Sequence, residues 1–262
     1  MKKLLLVCVA LLLAGCASGP PIDTSYVSRN QDSRVQFLII HFTSEGFKSS
    51  LNELTVGKVS SHYLVNDNPP TIYRLVDETR RSYHAGVSSW KGQTQLNAAS
   101  IGIEIVNLGN RDSLDGTQYQ DYQPEQIEAV VQLVKKIVAD HQIRPDRILG
   151  HSDIAPQRKV DPGPKFPWKR LADEGLLLWP DAAQVAQRLP GYEQQLPDAT
   201  WFQSKLQEHG FGIAVNGQLD APTRRVIAAF QMKYRPSRFD GEPDAETAAL
   251  LDVLTSPAAP VK

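Results

Sequence analysis

Between residues 35 and 150 the apolar positions fall into short runs of strand length and one long helical repeat. Val35 to Phe42 is nearly continuous and predicts a buried strand. Ser61-His62-Tyr63-Leu64-Val65 predicts another, and Ile72-Tyr73-Arg74-Leu75-Val76 alternates as a half-exposed strand does. In Ile101-Gly102-Ile103-Glu104-Ile105-Val106, period 2 puts the three isoleucines on one face and Gly102, Glu104 and Val106 on the other. Pro124 opens a helix to about His141, where Ile127, Val130, Val131, Val134, Ile137 and Val138 recur at helical spacing and are core. Asp146 to Gly150 returns as a short strand ending at His151. Residues 152–168 hold Pro156, Pro162, Pro164 and Pro167. Proline lacks the amide hydrogen and restricts its predecessor, so this stretch is an ordered loop. Helical pattern resumes to about Gly175. The elements describe one mixed α/β domain over residues 35–178.

Residues 179–197 are punctuated by proline and predict a linker. Beyond them the chain repeats itself at an offset of 24: Asn216-Gly217-Gln218-Leu219-Asp220-Ala221-Pro222-Thr223 matches Asp240-Gly241-Glu242-Pro243-Asp244-Ala245-Glu246-Thr247. Leu206-Gln207 and Phe230-Gln231 share that offset. Each unit reads as a turn that tolerates positive φ, an Asp placed as N-cap, then a helix. The expectation is a small three-helix domain over residues 198–256, with helices near 199–209, 221–234 and 245–254. It holds no metal set and no nucleophile.

The N-terminus is of another kind. Met1-Lys2-Lys3, an apolar stretch from Leu4 to Leu13 and Ala14-Gly15-Cys16 make a secretory signal over residues 1–16, too short for a comfortable permanent membrane span. Leu13-Ala14-Gly15-Cys16 resembles a bacterial lipobox, which implies cleavage before Cys16 and acylation of that residue. Several acyl chains on one residue anchor firmly, where one is marginal. Ala17 rather than Asp follows the cysteine, which by the resemblance to Gram-negative lipoproteins implies the outer membrane. Residues 17–34 read as a tether. The two cysteines are Cys8, in the leader, and Cys16, so the mature chain has no thiol for a disulfide or a metal. A formal net charge of -1 argues against a nucleic-acid partner.

The candidate chemistry lies where the strands end. His41 and His151 each close a buried strand, where a rigid sheet holds a side chain at an edge. Asp161 follows ten residues after His151 in the proline-stiffened loop. Two imidazoles and a carboxylate form a three-ligand zinc set that leaves a position open for water. On spacing alone, Asp161-Pro162-Gly163 reads equally well as a simple turn. Glu104 changes that balance. A carboxylate on a buried strand face costs several kcal/mol unless it is paired or used, and beside a metal it is a natural general base. Its bland alternative is an ion pair with Arg158 or Lys159. Lys159, two residues before Asp161, could reach the same site and stabilise developing negative charge, although most lysines are simply solvated. His141, at a helix end, and His209, in the small domain, are bystanders.

Several separate motifs carry a resemblance. His41-Phe42-Thr43, Val59-Ser60-Ser61-His62-Tyr63, His84-Ala85-Gly86, Ser100-Ile101-Gly102-Ile103-Glu104 and Gly150-His151-Ser152-Asp153-Ile154-Ala155-Pro156, with Lys159 and Asp161, resemble the type 2 N-acetylmuramoyl-L-alanine amidases from about residue 35 to 175. The resemblance implies a central mixed β-sheet flanked by helices, with one Zn2+ in a surface groove. It implies His41, His151 and Asp161 as ligands, Glu104 as catalytic acid/base and Lys159 as electrostatic stabiliser. It places His84, Ala85 and Gly86 along the substrate groove with Asn97 near them, and makes His62 structural or a support one layer behind the ligands. Trp90 could pack on a sugar or peptide. The paired C-terminal units resemble the peptidoglycan-binding type 1 domain, with a stability or dimerisation module as the alternative. Together these imply a cell-envelope amidase acting on peptidoglycan or its muropeptides and held to the membrane by lipid. The rivals are a tether that binds the wall without cutting and a zinc peptidase that cuts within the stem peptide.

Overall fold

In chain order the elements are β1 (Phe37–Phe42), α1 (Phe47–Val56), β2 (Tyr63–Val65), β3 (Ile72–Arg74), β4 (Ser89–Trp90), β5 (Gln93–Thr94), β6 (Ser100–Ile105), α2 (Pro124–His141), β7 (Ile148–Gly150), α3 (His151–Ile154), α4 (Trp168–Asp173), α5 (Ala182–Gln194), α6 (Ala199–His209), α7 (Ala221–Tyr234) and α8 (Ala245–Thr255). They come from a computed structural model that describes residues 20, 22–110 and 118–256. The leader and Cys16 lie outside the described residues.

β1 is buried at every residue because it is an interior strand. The five-stranded sheet runs β3-β2-β6-β1-β7, with β2, β6, β1 and β7 parallel and β3 antiparallel at the edge. This is the central mixed sheet that the resemblance implied. Interior parallel strands read as unbroken apolar runs because both faces are covered, and edge strand β3 keeps the half-exposed alternation.

One face of the sheet carries Leu38, Ile40, Tyr63, Val65, Ile101, Ile103 and Ile105 against Ile127, Val130, Val131, Val134 and Ile137 of α2. The three isoleucines of β6 thus share a face, as their period predicted. Gln126 sits within this helix interface and donates to the Val106 carbonyl (2.9 Å).

The opposite face differs at its two ends. Beneath β2, Leu64 and Val106 pack with Leu54 of α1. Beneath β1 and β7, Phe37, Ile39 and Leu149 pack into one continuous core with Ile154, Trp90, Phe202, Phe230, Ile227 and Leu251. The C-terminal helices therefore cover this half of the sheet. The stretch expected as a linker is different from that expectation: residues 182–194 form α5, which carries Pro190 inside it and is capped by Asp181, whose side chain accepts from the Gln184 N–H. Val185 and Tyr192 of α5 pack onto the second core. The prolines Pro180 and Pro197 that suggested a linker instead flank this helix.

α6, α7 and α8 fall where the repeat predicted, each capped by an aspartate. Asp198, Asp220 and Asp244 accept from the N–H of Trp201, Thr223 and Thr247. The 24-residue offset holds for these turns and caps but not for the preceding helices. Buried Gln203 accepts from the N–H groups of Asn216 and Gly217 and donates to Gln218 O and the Thr223 hydroxyl. Gln231 does the same with Gly241, Glu242 and Thr247. Phe202-Gln203, not Leu206-Gln207, is the counterpart of Phe230-Gln231; α6 runs further past its glutamine than α7 does, and the loop after it is one residue longer.

Candidate active site

The parallel register sets His41 beside Glu104 and Ile40 beside Gly150. His151 is the next residue of the third strand and opens α3, so the two histidines reach the same end of the sheet. The Ser152 N–H donates to the Asp161 carbonyl (2.8 Å) and folds the proline loop back onto α3. The three side chains converge: His41 Nδ1 and His151 Nδ1 are 3.0 Å apart, and Asp161 Oδ2 lies 3.0 Å from the first and 3.1 Å from the second. All three residues are buried.

This triangle fits a metal. Ligands ~2.0–2.2 Å from one tetrahedral zinc stand ~3.3 Å from each other. The ring nitrogens on the far sides decide the tautomers. His151 Nε2 faces the Ala85 carbonyl at 3.2 Å. The Arg158 guanidinium, a donor, stands 3.3 Å from the same nitrogen; with Nδ1 in the ligand triangle, the hydrogen belongs on Nε2, where the carbonyl accepts it. His41 Nε2 faces His84 Nδ1 at 3.0 Å, and His84 Nε2 faces Ser100 Oγ at 3.1 Å, whose hydroxyl donates to Leu96 O at 2.6 Å. Read from its carbonyl end, the relay leaves the His41 Nδ1 lone pair free too. Burial, with the neighbouring His151, pushes His41 down to about 4. Burial works against ionising Asp161, but the two histidines outweigh it and hold its carboxyl far below the usual range. Neutral imidazoles and an ionised carboxylate are what a metal requires.

Glu104 closes the group. Its Oε1 is 4.0 Å from His41 Nδ1, its side chain is 15% exposed, and its Oε2 has no hydrogen-bond partner among the described residues. Burial, then the Asp161 charge, raises its pKa well above the ordinary value, while Lys159 pulls it back. Arg158 is occupied elsewhere, donating to the carbonyls of Ala85 and Val87. Glu104, His151, Asp161, His84 and Lys159 all line one cavity of about 200 Å³, with Thr43, Glu45, Glu53, Val59 and Tyr83 on its other walls.

The residues expected along the groove separate. His84 reaches the cavity but is buried, and its ring orients His41. Ala85 is fully buried and serves through its carbonyl. The Asn97 Oδ1 accepts from the N–H groups of His84 and Ala85 and so holds that segment from behind. Gly86 lines a separate groove with Arg158. His84 thus lines the cavity as expected, Ala85 and Asn97 support it from behind, and Gly86 lies on the neighbouring groove. His62 is structural: its Nδ1 accepts from the Gly102 N–H at 3.0 Å and lies 2.8 Å from the Ser82 hydroxyl. Trp90 is no exposed anchor; it is 2% exposed and packs edge-on to Phe211 and His209. An aromatic beside turn residues is as readily claimed by a neighbouring domain as by a ligand. Sequence reasoning gave Ser100 and Arg158 no part in orienting the histidines and did not single out the rim residue Tyr83, whose ring lies under Arg81. The isolated Gly102 in a strand was a signal of close approach: a Cβ there would stand 2.6 Å from the His84 ring.

Comparison with known proteins agrees with this geometry. The N-acetylmuramoyl-L-alanine amidase family matches residues 31–164, and the peptidoglycan binding domain family matches residues 195–251. The chain is 42% identical over 264 residues to N-acetylmuramoyl-L-alanine amidase AmiD of Escherichia coli (strain K12), covering 95% of each. The structure of E. coli AmiD in complex with anhydro-N-acetylmuramic acid-L-Ala-D-gamma-Glu-L-Lys superposes with a TM-score of 0.81 at 41% identity, over 89% of this chain and 93% of that one. AMPDH3 from Pseudomonas aeruginosa gives 0.83 at 38% identity, over 90% and 98%. The chain belongs to the N-acetylmuramoyl-L-alanine amidase family.

Proposed function

We propose that the cavity at the end of β1 hydrolyses the amide joining the lactyl carbonyl of N-acetylmuramic acid to L-alanine, in peptidoglycan or its muropeptides, with one zinc held by His41, His151 and Asp161. The observation that carries this is the convergence of three metal-ready atoms beside an unpartnered Glu104 oxygen. Zinc held there supplies Lewis acidity to the scissile carbonyl and acidifies water. Glu104 takes the proton of the attacking water and hands it to the leaving amine. Its raised affinity for protons suits the second half of that exchange. The Lys159 ammonium, on the cavity wall, stabilises the charge developing on the carbonyl oxygen. His84 keeps His41 in the ligating tautomer, and Ala85 does so for His151.

The match of residues 195–251 to a peptidoglycan binding family supports wall binding by the C-terminal domain. Residues 1–16 support export, lipidation at Cys16 and an outer-membrane anchor facing the wall, with residues 17–34 as tether. Lipid and wall contacts together raise the effective concentration of enzyme on polymer. Cys16→Ala is expected to abolish acyl labelling and leave the protein soluble; a variant that stays membrane-bound and labelled contradicts the anchor.

Glu104→Gln tests the chemistry. Turnover of a muramoyl peptide is expected to fall by roughly 10²–10⁴-fold with zinc content unchanged. His151→Ala is expected to lose both. Near-parental turnover in the first, or full zinc content in the second, contradicts the assigned roles.

A further inference from the structure

α3 is a single turn of four residues, yet it opens with the ligand His151 and its backbone grips the loop of the ligand Asp161. One turn cannot offset its own nucleation cost, so something outside it must fix its direction. What fixes it comes from the C-terminal domain. Lys233 of α7 places Nζ 2.7 Å from Asp153 Oδ2, 3.2 Å from the Ile148 carbonyl and 4.3 Å from the centre of the Trp168 ring. An ammonium has three hydrogens, and these three partners take them. Asp153 Oδ2 also accepts from the Gly150 N–H at 2.8 Å. One buried ion pair therefore holds the residue before His151 and the residue two after it. The start of α7 reaches the same segment further along, where Gln157 Nε2 donates to the Pro222 carbonyl at 3.0 Å.

We infer that the C-terminal domain, besides any hold on the wall, is part of the support of the metal site, and that Lys233 is the positioning residue that aligns His151 and, through the Ser152 to Asp161 bond, Asp161. The inference rests on the zinc-site reading above. Two observations favour positioning over simple adhesion between domains. The Lys233 and Asp153 side chains are 5% and 2% exposed. At that depth desolvation takes back most of an ion pair's attraction, and an apolar pair of the same volume stabilises as well or better. The internal repeat supplies a control. The register of Gln203 with Gln231 makes Lys205 the counterpart of Lys233, and among the described residues Lys205 pairs only with the exposed Glu208. The repeat fold itself does not need a buried lysine here; the contact with α3 does.

The test is Lys233→Met in the full chain, with zinc affinity read by competition against a chromogenic chelator. Second readings are kcat and KM on a muramoyl peptide at saturating zinc, and sedimentation with purified sacculi. Outer partners of metal ligands typically set affinity or activity by about 10–100-fold. Zinc affinity and kcat are expected to fall about tenfold or more, with KM and sacculus binding unchanged. A folded Lys233→Met chain that binds zinc as the parent does overturns the positioning role, whatever its thermal stability. If that variant does not fold, Lys233→Met/Asp153→Asn removes both charges and is judged by the same zinc measurement. A parent chain that binds no zinc overturns the metal-site reading instead, so the two failures are distinct.

Discussion

Gly102 faces the His84 ring because no larger residue leaves room for it. Gly102→Ala is expected to push His84 off His41, weaken zinc binding by about tenfold and cost ~1–3 kcal/mol of stability. Chelator competition and urea unfolding read both effects; a variant with parental zinc affinity shows that His84 orients nothing. The buried histidines also set a pH response in the metal-free chain. His41 and His62 are each pushed down to about 4, chiefly by burial, while both titrate near ~6.5 when unfolded. Between those values the unfolded chain takes up protons that the folded chain refuses, so stability falls as pH falls. Glu104, pushed up, works in the opposite sense. The loss by pH 4 is expected to reach roughly 3 kcal/mol or more; a urea midpoint that stays flat from pH 7 to 4 contradicts it. At this scale the sequence singled out His41, Glu104 and His151, because a polar residue that closes or interrupts a buried strand must be paired or put to use; Asp161, in a loop, was named by the motif resemblance. It placed His84, Ala85 and Asn97 in the groove. His84 does line the cavity, while Ala85 and Asn97 act one layer behind it, through a backbone carbonyl and a side-chain amide that no sequence pattern marks.

Strands and helices follow their periodicities closely. α2 spans Pro124–His141 as its apolar spacing predicts, and the strand runs are trimmed by one or two residues where pairing partners end. The capping aspartates were legible because an Asp before a helix has one dominant use. Asp220→Ala and Asp244→Ala are each expected to lower stability by about 1 kcal/mol, read from the urea midpoint; no shift in either contradicts the cap assignment. α5 was hidden by Pro190 and by its flanking prolines. Proline inside a helix costs ~3 kcal/mol, and contacts with α8 and the second core, invisible to local pattern, offset it. The repeat misled in one respect for the same reason. Offsets read from turns do not transfer to the preceding helices when one of those helices runs further past its buried glutamine than the other.

Across the whole molecule, the beads-on-a-string organisation expected from the sequence gives way to a shared core. Phe37, Ile39 and Leu149 of the sheet are covered by helices more than fifty residues further along the chain. Residues 33–256 lie in one compact unit, and full-chain unfolding is expected to follow a single urea transition by tryptophan fluorescence and by far-UV dichroism. Two separated transitions contradict the shared core. The identity of the wall-cutting site does not depend on that coupling, and the most direct measurement addresses it alone. Purified muropeptides are incubated with the enzyme, with and without a chelator, and the products are weighed by mass spectrometry. Free stem peptides with an N-terminal L-alanine, lost on chelation and restored by zinc, are the expected result. Fragments cut within the peptide, or no products under zinc-replete conditions with wall binding intact, contradict the account.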